Sequence, residues 1–117
     1  VNTLSARIDL GLTKSDRAGN YIPSCDGFRA GAEQEIFEYY VEVPVGMRVE
    51  EIAEAAFEAT NHPYPESLTG VAGALAALVE DDRLTRMRSL SVGDTVTVNF
   101  GGEGARVVVE PFGFSRI

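Results

Sequence analysis

One cysteine, Cys25, one histidine, His62, and one lysine, Lys14, are all that the 117-residue chain holds of these three residue types. A lone thiol cannot close an intramolecular disulfide, and nothing else in the chain completes a Cys-rich zinc site around it. A reducing, cytoplasmic setting is therefore expected, with no metal and no cofactor. The longest apolar stretch, residues 70–79, reaches half of the roughly 20 residues that a membrane-spanning helix requires, and no signal-like pattern opens the chain. A soluble protein without membrane association is expected. With 44% hydrophobic residues the chain has enough apolar material for one core, and residues 1–117 read as a single domain.

Positive charge is scarce, and the net charge of −8 is unevenly distributed. Residues 33–66 carry Glu33, Glu35, Glu38, Glu42, Glu50, Glu51, Glu54, Glu58 and Glu66 against Arg48 alone, while the remainder of the chain nearly cancels. Such a field opposes contact with a phosphate backbone, so direct nucleic-acid binding is not expected. It suits a basic protein partner, or simple solubility.

What is present is a clear alternation of periods. Leu4, Ala6, Ile8, Leu10 and Leu12 recur at every second position, which predicts a strand with one buried face. Residues 14–32 collect Ser, Asp, Gly, Asn and Pro, a long loop by composition. A second strand is predicted over 36–43, with Phe37, Tyr39, Val41 and Val43 on one face and Ile36, Glu38, Tyr40 and Glu42 on the other. Over 49–60 the period changes to that of a helix: Val49, Ile52, Ala53, Ala56, Phe57 and Thr60 share one side, and Glu50, Glu51, Glu54 and Glu58 gather opposite.

Asn61, Pro63 and Pro65 end that helix. Residues 68–79 then form an apolar segment with no polar face until Glu80, Asp81 and Asp82, so it is either buried or paired. Its small residues permit close approach of the chain's own sheet or of a second copy, which makes a homodimer through 68–79 one expectation. Ser91-Val92-Gly93-Asp94 reads as a turn into a strand over 95–100, and glycines 101, 102 and 104 reverse the chain into another over 105–110. Phe112, Phe114 and Ile117 are expected to close the core. The order β-β-α-α-β-β predicts an α+β fold with a mainly antiparallel sheet of about four strands and two helices on one face.

The chemistry-bearing residues are few. Cys25 and His62 would need mutual hydrogen-bond reach and a third orienting group to act as a nucleophilic pair, and their spacing does not supply it. The glycines at 101, 102 and 104 precede a strand rather than a helix, which argues against a phosphate cradle. Glu50, Glu54 and Glu58 present carboxylates on one helical stripe. Tyr39 and Tyr40 adjoin this acidic region and point to opposite sides of their strand, so these five residues are the candidate partner-binding set.

The segment Arg88-Ser89-Leu90-Ser91-Val92-Gly93-Asp94-Thr95-Val96-Thr97-Val98, followed by Phe112-Gly113-Phe114 and Ile117, resembles the end of YodL-like domains. These are small domains of uncharacterised function in proteins of plasmids, integrative elements and phages. Residues 39–61 look like the strand and helix that precede this turn in some actinobacterial relatives, and the likeness covers about half the chain. The apolar 68–79 segment is an insertion relative to the shorter family pattern. The resemblance implies a mobile-element context and carries over no catalytic residue. The leading expectation is a non-enzymatic accessory protein that binds a protein partner through its acidic surface. Three alternatives stand beside it: a nucleic-acid mimic acting on a DNA-binding or defence protein, a small enzyme with a cleft near Cys25 and His62, and a self-associating module.

Overall fold

A computed structural model describes residues 3–13, 34–85, 87, 89–100, 103–110 and 112–117. The long 14–32 loop expected from composition, Cys25 included, lies outside the described residues. Strands β1 (Thr3–Thr13), β2 (Gln34–Pro44), β3 (Thr95–Phe100), β4 (Glu103–Val109) and β5 (Phe114–Arg116) form one sheet in the order β2-β1-β3-β4-β5. Every neighbouring pair is antiparallel, with Ile8 opposite both Tyr39 and Val98, and Val96 opposite Val107. The fold is α+β, as the alternation of periods predicts.

Because β2 and β3 both run antiparallel to β1, they are parallel to each other and cannot be joined by a hairpin. The connection carries helices α1 (Val49–Asn61) and α2 (Gly70–Thr85), with a short 3-10 turn at Pro65–Ser67 between them. Both helices pack on one sheet face. Ala6, Ile8, Leu10, Phe37, Val41, Val96, Val98 and Val107 meet Ile52, Ala56, Leu75 and Val79 in a single buried cluster. Complete burial of side chains such as Ile8, Leu10, Ile52 and Leu75 stabilises the fold by about 1.5–3 kcal/mol each relative to exposure.

The sheet has five strands where about four are expected. Gly113, at φ +85°, lets the chain reverse after β4, and the Glu110 N–H donates to the Gly113 carbonyl at 3.0 Å. The last residues therefore add a strand instead of plugging the core. Only Phe114 packs against it; Phe112 is 97% exposed and Ile117 54%. Helix α2 also runs beyond the apolar segment through Glu80, Asp81 and Asp82.

Residues 89–94 form a set of ties. Gly93 adopts φ +93° in the turn closed by the Asp94 N–H donating to the Ser91 carbonyl at 3.0 Å. Upstream, the Leu90 N–H donates to the buried Thr60 Oγ1 at 3.1 Å, Ser89 Oγ donates to the Thr60 carbonyl at 2.6 Å, and Asn61 Nδ2 donates to the Leu90 carbonyl at 3.1 Å. The last turn of α1 and the entry to β3 are thereby locked together.

Candidate functional site

Helix α1 begins after the turn in which the Met47 N–H donates to the Pro44 carbonyl, with Arg48 in extended conformation as its N-cap. Glu51 reaches back to accept the Arg48 N–H at 3.0 Å, the carboxylate half of a capping box, and also meets the Arg48 guanidinium at 3.3 Å. The Arg48 N–H first, and its guanidinium second, hold the Glu51 carboxyl below its ordinary value. Val49, Ile52, Ala53, Ala56 and Thr60 face the sheet, and Ala55 and Ala59 are buried as well.

The expected site residues are spread over four environments. Glu54 and Glu58 lie exposed on the solvent side of α1. Glu50, on the flank of the same helix, turns toward β5 and pairs with Arg116 at 2.9 Å, beside the edge-to-face contact of Phe57 and Phe114. Tyr39 is buried against the helices, and its hydroxyl donates to Asp82 Oδ2 of α2 at 2.5 Å. Tyr40 is 64% exposed on the opposite sheet face, where its hydroxyl donates to Glu38 at 2.6 Å. That bond and the Glu38 charge raise the Tyr40 phenol above its ordinary value. The Glu54–Glu58 stripe and Tyr40 thus belong to two surfaces with the sheet between them.

His62 is the C-cap residue of α1, and its Nδ1 accepts the Tyr64 N–H at 2.9 Å. Its ring meets that of Tyr64 edge-on at 6.5 Å. Among the described residues, no group of three or more His, Cys, Asp or Glu is placed to hold a metal ion. None of the described helices is long and apolar enough to cross a membrane.

Tertiary structure adds carboxylates that sequence proximity did not join. Glu66 follows α1 in the short turn, and Glu80 and Asp81 come from α2; all three are exposed on the helical layer that also bears Glu54 and Glu58. None of these five has an ion-pair partner among the described residues, whereas the described arginines are engaged. Arg7 pairs with Asp9 and Glu38, Arg48 with Glu51, Arg116 with Glu50, and Arg83 donates to the Ala59 carbonyl at 3.1 Å. Arg106 also has a partner. The signal for Glu80 and Asp81 was visible in the sequence as the acidic end of the apolar segment, but nothing local showed that α2 continues through them.

Between the 65–68 segment and α2 lies a groove of about 570 Å³, with Leu68, Ala76, Ala77 and Leu84 as apolar lining and Glu66 and Glu80 on its two walls. Gly73 shapes it: a Cβ there would lie 2.5 Å from the Leu68 carbonyl oxygen, so only glycine lets this wall approach α2. The small residues of α2 thus admit a neighbouring segment of the same chain. Compared with protein-family models, with curated proteins and with solved structures, the chain matches none, and its function has to be read from its own surfaces.

Proposed function

We propose that this chain is a cytoplasmic, non-enzymatic binding domain that recruits a positively charged protein partner through the carboxylates of its helical layer. The observation that carries this reading is the imbalance on that layer: Glu54, Glu58, Glu66, Glu80 and Asp81 stand exposed without ion-pair partners among the described residues, while of the described arginines there Arg48 pairs with Glu51 and Arg83 donates to the Ala59 carbonyl. A concentrated negative potential attracts basic partners and accelerates encounter in a salt-dependent way. The mobile-element setting implied by the likeness of residues 88–98 to YodL-like domains is part of the proposal, and the neighbouring genes test it.

The direct experiment uses the immobilised chain and a cell extract, with bound proteins identified by mass spectrometry. Glu50 is left intact, because its pairing with Arg116 makes it part of the scaffold. The expected result is a basic protein whose capture falls with rising salt and is lost in the Glu54→Gln/Glu58→Gln variant, which keeps the parent's thermal unfolding. Capture that is indifferent to both salt and the double substitution would sink the reading.

A further inference from the structure

We infer that the groove between the 65–68 segment and α2 docks an amphipathic, positively charged helix of the partner protein, a deepening that rests on the function proposed above. The lining is apolar at Leu68, Ala76, Ala77 and Leu84, and Leu84 is 79% exposed at its border. A carboxylate stands on each wall, Glu66 on the turn and Glu80 on the helix, both exposed and without an ion-pair partner among the described residues. Arg83 also lines the groove, where it donates to the Ala59 carbonyl at 3.1 Å; its charge offsets one of the two carboxylates and leaves the lining net negative. The complementary surface is therefore an apolar ridge flanked by Lys or Arg.

An extended peptide draws its affinity from main-chain hydrogen bonds to an open strand edge, and here one wall is a helix whose backbone is bonded within itself. An occupant that satisfies its own backbone, as a helix does, suits such a wall. A second copy is the poorer fit: a self-complementary contact would set Glu66 and Glu80 against the same carboxylates and bring together two chains of net charge −8. The wall is also held in place, because the Ser67 N–H donates to the Tyr64 carbonyl at 2.9 Å, the Leu68 N–H donates to the Pro65 carbonyl at 3.1 Å, and the Leu68 carbonyl lies against Gly73. A pre-formed wall lowers the ordering cost of binding.

The test uses a fluorescent peptide of about 18 residues, five helical turns, with Leu at i, i+3, i+4 and i+7 spacing and Lys elsewhere. A second peptide has the same composition in scrambled order, and binding to the full chain is read by fluorescence anisotropy. The ordered peptide is expected to bind at least about tenfold more tightly than the scrambled one, as hot-spot packing requires. Ala77→Arg, which fills the groove from an exposed position, and Glu80→Gln should each weaken it about tenfold, and Glu54→Gln/Glu58→Gln by less than about threefold. Should Ala77→Arg fail to fold by circular dichroism, the exposed Glu80→Gln carries the test. Equal affinity for the two peptides would overturn the inference. So would a loss confined to the Glu54/Glu58 variant, an outcome that retains the acidic-layer reading while removing the groove. A dimer by light scattering that Ala77→Arg converts to monomer would assign the groove to a second copy and overturn it as well.

Discussion

Asp94, fully buried at the entry to β3, accepts the backbone N–H of Thr13, the last residue of β1, at 3.0 Å across 81 positions of sequence. Its other carboxylate oxygen accepts the Ser91 N–H at 2.8 Å. One side chain thus closes its own turn and anchors the end of β1, an interior strand of the sheet. Replacing it by alanine leaves two N–H donors without their acceptor, and hydrogen bonds to charged groups contribute about 1.5–3 kcal/mol each. Asp94→Ala is expected to cost about 3 kcal/mol in urea unfolding, and Asp94→Asn, which keeps one acceptor oxygen, distinctly less. A loss of under about 1 kcal/mol for the alanine variant would remove Asp94 as an anchor.

Gly73 sets helix propensity against packing. Propensity alone favours Gly73→Ala by about 1 kcal/mol. The new Cβ would sit 2.5 Å from the Leu68 carbonyl oxygen, and the backbone shift needed to relieve such a contact costs about 1–3 kcal/mol. Net destabilisation of about 1 kcal/mol is expected, read as a lower denaturation midpoint. A stabilised variant would mean that the 65–68 wall yields freely.

Acid should erase the contribution of Glu51. Its carboxyl is held below the ordinary value of 4.5, first by the Arg48 N–H and then by the Arg48 guanidinium. A folded-state value below the unfolded one gives stabilisation that is fully present above the ordinary value and is lost as pH falls through the depressed one. The parent should therefore melt slightly higher than Glu51→Gln near neutral pH, and the two curves should converge in acid. The effect is small because the pair is exposed. A gap that persists unchanged to about pH 2 would contradict it.

Much of this fold was legible because its elements have clean periods. Residues 95–100 alternate within a strand of those bounds, and the buried and exposed positions of β2 follow its alternation from Glu35 to Val43. The fifth strand was not legible, since three residues after Gly113 carry too short a pattern to separate a strand from a plug. Nor was the length of α2, which runs past the apolar segment to Thr85. The turn chemistry of Gly93 and Asp94 could be read from residue types alone, but not that Asp94 reaches Thr13.

The sequence by itself determined the class of fold, the two faces of β2 and α1, and the excess of negative charge, because periodicity and composition are local properties. Only the tertiary structure decided where that charge stands. One acidic run, residues 33–66, divides between the outer sheet face at Glu38 and Glu42 and the helical layer at Glu54 and Glu58, because β2 and α1 are separate layers of the crossover. Chain reversal after α1 then brings Glu80 and Asp81 to the same layer as Glu54 and Glu58, and places Glu80 across a groove from Glu66. Such proximity depends on which faces must be buried together, a demand of the whole core that no local window contains.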